Sequence, residues 1–201
     1  MKAAARLQDV LARIDEANRK DPHTEYEGGA EHPKELLYAR RMSAWLERLR
    51  PDASTALRIA ARAQHLERWA IPRDRFPAGR TGYLRWRTAL GAHHAERTGE
   101  LMRETGFDGD TITAVAALLR KEGLARAAPD SDVQALEDCA CLVFLAHYLG
   151  PFADKHPPAK VADILTKTWR KMSPAARGAA GGIQFRPALR SVLESAGVAA
   201  R

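Results

Sequence analysis

Between Arg62 and Arg87, seven arginines (62, 68, 73, 75, 80, 85 and 87) stand against only Glu67 and Asp74, a local net charge of +5. The same stretch holds His65, Trp69, Phe76, Tyr83 and Trp86, so guanidinium forks alternate with aromatic faces. A guanidinium grips a planar anion through parallel N–H donors and stacks on rings, where a lysine offers only a point charge. The chemistry this pattern suits is the holding of an anion. Arg68, Arg73, Arg80 and Arg87 are its candidate contacts, and Trp69, Tyr83 and Trp86 its candidate walls. The competing reading is a solvated loop whose arginines form local ion pairs, each worth at most about 1 kcal/mol. Glycines, prolines and aromatic residues stiffen the segment, and a stiff loop has less entropy to lose on binding, which favours the anion site. Thr168, Arg170, Lys171 and Ser173 in TWRKMS would add donors, although Trp169 and Met172 equally suit a core.

Charge elsewhere narrows the partner. The sequence pI is about 9.7, yet residues 88–159 carry 6 basic and 11 acidic groups, while residues 160–201 carry 8 and 2. Two basic patches thus flank an acidic middle, whereas a polyanion-coating protein presents a continuous basic stripe. A small anion is the favoured partner and nucleic acid the lesser one. No run of about 18 apolar residues appears, which argues against a membrane span. The opening MKAAARLQDVLARIDEANRK lacks an apolar h-region, so a signal peptide is not expected and a cytoplasmic location follows by default. Cys139 and Cys141, two apart on a helix, point to opposite sides and read as core filler. No phosphate-cradling glycine loop, GxxxxGK[ST] or GxSxG elbow is present.

The elements that must position these groups read as helices throughout. Leu7, Val10, Leu11 and Ile14 recur at helical spacing over residues 3–19. A polar turn at Gly28 and Gly29 precedes a helix opened by Pro33, and Asp52 or Ser54 caps a third helix running to about Trp69. The arginine loop connects it to a long helix ending at Gly106. Further helices follow from Asp110, from Asp130 or Ser131 through Leu149, from Pro157 to Met172 and from Pro187 to Ala196. Alternating strand patterns are not seen. The expected fold is all-α, a single-domain helical bundle over residues 1–201.

PKELLYARRM, QHLERWAIPR, GRTGYLRWR, LEDCACLVFL and TWRKMS together resemble a bacterial and fungal family catalogued as a domain of unknown function. That family is in turn remotely similar to the HD superfamily of helical metal-dependent phosphohydrolases, which implies an HD-domain-like bundle. In that superfamily histidines and aspartates from successive helices gather a divalent metal. The resemblance maps this role onto His65, His94 and Asp138, with the metal's identity open. The His-Asp dyad is broken, because Leu66 follows His65. Glu67 is the nearest replacement carboxylate, and Glu67 and Lys121 are the candidate catalytic groups. Each histidine could instead be a packed residue, and Asp138 a helix-start acid. His23, His147 and His156 read as structural or surface residues. Glu137 and Asp138 lie about 100° apart on a helix and are no ready-made acid/base pair.

Two functions follow. One is a metal-dependent hydrolase of a small phosphorylated or nucleotide-like compound, with a degenerate HD-type site and the arginines holding phosphate. The alternative is a non-catalytic module that binds an anionic ligand or RNA through the arginine-aromatic loop. The enzyme is the leading reading, and oligomeric state is not encoded legibly.

Overall fold

In α1 (Ala3–Asn18) the buried residues Val10, Ile14 and Ala17 fall three or four apart. That stripe faces α2 (Lys34–Leu49), α3 (Thr55–Ala63) and α4 (Gly79–Glu104). The computed structural model describes residues 3–195 and Gly197. At its centre lies α3, whose Leu57, Ile59, Ala60, Ala61 and Ala63 have no exposed surface. Its small alanines let α1, α2, α5 (Gly109–Leu119) and α6 (Asp132–Val143) all pack against one short helix. The outer elements are α7 (Leu149–Ala153), α8 (Pro158–Lys171), α9 (Pro174–Ala180) and α10 (Pro187–Ser195). Ser54, Asp108, Ser131 and Ser173 each accept the N–H three residues on, which fixes the starts of α3, α5, α6 and α9.

Three local features depart from the sequence reading. First, residues 24–33 are not only a turn. β1 (Thr24–Glu27) and β2 (Ala30–Pro33) form an antiparallel hairpin with Glu27 opposite Ala30. Gly28 and Gly29 supply the positive φ angles, 59° and 87°, that a two-residue hairpin turn requires. Second, α3 stops at Ala63 instead of reaching Trp69. Glu67 turns left-handed at φ 50°, with its N–H donated to Asn18 Oδ1 at 3.0 Å. Third, α9 stands where no helix was expected.

The arginine loop is tightly folded. Arg73 donates to the carbonyls of Phe76 at 2.8 Å and Pro77 at 2.9 Å. The loop then crosses so close to α4 that a Cβ on Gly82 would lie 1.8 Å from the Pro77 carbonyl oxygen. Only glycine fits there. After α6 the chain continues through a π-helical turn, Phe144–Tyr148, into α7. The run Asp132–Ala153 is long and apolar enough to cross a membrane by length and composition, but 56% of its most apolar window is buried in the protein.

Candidate functional site

Six separate parts of the described chain wall one cavity of about 730 Å³. The first turns of α2 contribute Lys34, Glu35 and Tyr38, and the unwound end of α3 contributes Gln64, His65 and Arg68. One turn of α4 presents Tyr83 and Arg87, four residues apart, while Lys121 comes from the turn after α5. The α6 face offers Glu137 and Cys141, and the π turn Phe144 and Tyr148. From α8 come Lys167, Thr168, Arg170 and Lys171. Seven cations therefore face two carboxylates, Glu35 and Glu137.

His65 is the most constrained group in the wall. Its ring lies 3.8 Å from that of Tyr38 and nearly parallel, at 8°. Glu35 Oε2 is 3.0 Å from Nδ1, and Arg68 Nη1 is 2.9 Å from Nε2. A guanidinium only donates, so Nε2 is the acceptor and Nδ1–H donates to Glu35. Burial drives the His65 pKa well below its usual value, and Arg68, Arg87, Lys121 and Lys34 depress it further. The ring is a neutral imidazole. Burial also raises the Glu35 pKa above its usual value, against the pull of Arg68 and Lys34. Behind this pair, Trp86 supports the Arg68 guanidinium at 4.9 Å and donates Nε1–H to the Ile71 carbonyl at 2.8 Å.

Across the cavity Glu137 bonds Lys121 and lies 3.4 Å from Lys171 Nζ. Burial alone would raise its pKa, but the two lysines outweigh that and hold it below the usual value. Lys121 has an unusual left-handed φ of 57°, and such backbone strain in a non-glycine residue collects at functional sites. The Tyr148 wall is fixed from outside. Its hydroxyl donates to Glu25 at 3.1 Å on the hairpin and accepts from the buried Arg41 at 3.0 Å. Cys141 is inert, since burial pushes its thiol up to about 12.

A smaller cavity of about 330 Å³ adjoins the first. Gln64, His65, Arg68, Arg87 and Lys121 line both and form the partition between them. On the far side the small cavity meets His94, Leu90, Gly91 and Leu119.

The residues singled out in the sequence are distributed unevenly. Arg68, Tyr83, Arg87 and Lys121 reach the larger cavity, as do Thr168, Arg170 and Lys171. Trp86 acts one layer behind. Arg73 is spent on loop carbonyls, Arg80 is exposed on the outside, and Trp69 lines neither cavity. Glu67 pairs with Arg97 at 3.1 Å and points away, because its left-handed backbone turns it off the α3 axis. Ser173 caps α9 instead of facing a ligand.

His65, His94 and Asp138 do not assemble as a ligand set. The two imidazole rings are 6.1 Å apart, but His94 donates Nδ1–H to the Leu66 carbonyl at 2.8 Å. His65 has one nitrogen on Glu35 and an arginine cation on the other. Asp138 Oδ1 accepts from Gln134 Nε2 and from the Ser173 N–H, both at 2.9 Å, and so anchors the start of α9. Among the described residues, no three His, Cys, Asp or Glu side chains are grouped to hold a metal ion. These donors do not fit a metal in this arrangement. Glu137, one position before Asp138, is the carboxylate that faces the cavity.

Lys34, Glu35, Tyr38, Gln64, Glu137, Tyr148 and Lys167 escaped the sequence reading. Some signal existed: Lys34 and Tyr38 share a helix face, as do Lys167, Thr168 and Lys171. Nothing local indicates that those faces meet.

Neutral buried histidines make stability depend on pH. His94 titrates at about 3, pushed down first by burial and then by His65, whereas unfolded histidine titrates near 6.5. Below about pH 6.5 the unfolded chain therefore binds protons that the folded one refuses, so stability falls as the pH is lowered. Glu35, with its raised pKa, acts in the opposite direction between its unfolded and its folded value. The unfolding midpoint should fall between pH 7 and pH 5. The slope should be up to about 1.4 kcal/mol per pH unit for each such histidine. A His94→Asn variant, which keeps a donor for the Leu66 carbonyl, should lose part of that slope. An equal slope in both proteins would contradict the assignment.

No curated protein and no solved structure matches the chain. The family model described as Domain of unknown function (DUF4202) matches residues 8–193, and the chain belongs to that family.

Proposed function

We propose that the larger cavity binds a small phosphorylated compound and that His65 serves as proton acceptor in hydrolysis or transfer of its phosphoryl group. The observation that carries this reading is the convergence of seven cationic side chains, from separate elements, on one cavity with two carboxylates. Cations gathered on one cavity stabilise both a bound phosphate and the charge of its transition state. A volume of about 730 Å³ suits a metabolite or a single nucleotide, which favours a small ligand over RNA. Tyr38, Phe144 and Tyr148 provide apolar surface for the rest of the molecule.

The neutral His65, oriented by Glu35, supports chemistry over passive binding, because a buried carboxylate behind an imidazole fixes its tautomer and stabilises its protonated form. An HD-type, metal-dependent version is a second reading, favoured only by the 6.1 Å approach of His65 and His94. A non-catalytic anion-binding module is the remaining alternative.

Thermal unfolding and turnover in the presence of nucleotides and sugar phosphates separate these. Phosphorylated compounds should raise the midpoint where their unphosphorylated parents do not, since a ligand at 100 times Kd adds about 2.7 kcal/mol of stability. Turnover that requires added manganese, magnesium, zinc, nickel or iron(II) would favour the HD-type version. Binding without turnover under every condition would leave the non-catalytic module. Indifference to all phosphorylated compounds would sink the anion-cavity reading.

A further inference from the structure

Gln64 is 6% exposed and lines both cavities, and among the described residues its Oε1 has no hydrogen-bond partner. A buried amide oxygen left unpaired costs about 1–3 kcal/mol, so it marks a place built for a donor that arrives from outside the chain. Its neighbour in sequence is His65, which borders the same two cavities. The two sides of this partition differ in character. Beyond the shared residues, the larger cavity adds Lys34, Lys167, Arg170 and Lys171, whereas the smaller adds one cation, Arg120, beside Leu84, Leu90, Gly91, Ala92 and Leu119. At about 330 Å³ it holds far more than one water molecule, whose share of liquid volume is about 30 Å³.

We infer that Gln64 Oε1 and His65 Nε2 together hold the second reactant, a neutral O–H nucleophile, at the boundary where the two cavities share their lining, with the phosphoryl donor in the larger cavity and the rest of the nucleophile in the smaller. This rests on the phosphoryl-ligand reading above. When a phosphoryl oxygen takes over the Arg68 Nη1–H, His65 Nε2 is released to accept a proton. Gln64 Oε1 fixes the orientation of the nucleophile. In the step itself the nucleophile's oxygen forms a bond to phosphorus and its proton passes to Nε2. The bond from phosphorus to the leaving oxygen breaks, and its electron pair departs on that oxygen. No further reactant is needed. The O–H group can belong to water or to a small alcohol, and both present the same donor to Gln64.

Acetyl phosphate is a suitable donor probe, because acetate leaves without needing a proton. Turnover is followed by phosphorus NMR with and without glycerol, while inorganic phosphate binding is measured separately by calorimetry. The wild type should consume acetyl phosphate above the protein-free rate. Inorganic phosphate as sole product identifies water as the nucleophile, and glycerol phosphate identifies an alcohol. Gln64→Leu should lower kcat roughly tenfold with KM little changed, and Gln64→Glu, which keeps an acceptor oxygen, should recover most of the loss. A Gln64→Leu variant with wild-type kcat would overturn the inference. So would a wild type that binds inorganic phosphate yet accelerates neither product, and in that case the anion cavity itself would stand. Failure to bind inorganic phosphate at all would remove the anion cavity and this inference with it.

Discussion

Arg87→Ala should weaken binding of inorganic phosphate by about 1.5–3 kcal/mol, or roughly 10- to 150-fold, the range for a hydrogen bond to a charged group. Arg80→Ala should leave it unchanged. The two arginines lie on the same helix, seven residues apart, and composition does not distinguish them. Their surroundings do. Both are exposed, but Arg87 lines both cavities, whereas Arg80, at the first turn of α4, lines neither. Tyr83, one turn before Arg87, offers its hydroxyl 3.4 Å from Arg87 Nη1. The guanidinium is thereby held loosely and keeps donors for a ligand. Charge reversal, Arg87→Glu, should be more severe, since it sets a carboxylate beside the Glu35 and Glu137 already present. Isothermal titration of the three variants at one ionic strength checks this, because screening alters every such contact. Equal losses in Arg80→Ala and Arg87→Ala would mean that the whole segment acts as a diffuse basic surface.

The helical scaffold was legible because its signals are local. Ser54, Ser131 and Gly106 punctuate helices through side-chain caps and a positive φ, and such effects need no knowledge of distant residues. The hairpin's double glycine was an equally local signal, but strands of four residues with no buried position carry little apolar patterning. The arginine segment pointed toward the right part of the chain while overstating its share of the cavity. Arg73 and Arg68 look alike in sequence. One closes a loop on its own carbonyls, while the other is stacked on Trp86 and turned onto His65. The choice between Glu137 and Asp138 is subtler still, because 100° of helix rotation sends one to Lys121 and the other to the start of α9. Sequence fixes that rotation only through the packing of α6 on α2 and α8, which is a property of the whole core. The pairing of Glu35 with His65 spans 30 residues and has the same origin.

The cations that recommend this cavity for phosphate also suppress His65, and this couples anion binding to protonation. Arg68, Arg87, Lys121 and Lys34 depress the imidazole beyond what burial does alone, even though Glu137 bonds Lys121. An anion seated among them offsets that field, so the His65 pKa must rise on binding. Linkage makes the effect reciprocal: if the anion favours protonation of His65, protonation of His65 favours the anion. Sulfate is the better probe here, because it stays doubly charged across the range where phosphate itself titrates. Its affinity should increase as pH falls from 7.5 to 5, by up to about tenfold per pH unit where one proton is taken up on binding. Proton uptake should appear independently as a dependence of the binding enthalpy on the buffer's ionisation enthalpy. In His65→Gln the pH dependence should largely disappear, while the remaining cations still bind sulfate. A sulfate affinity that is flat with pH in the wild type would show that His65 does not sense the anion, and its place in the site would then be structural.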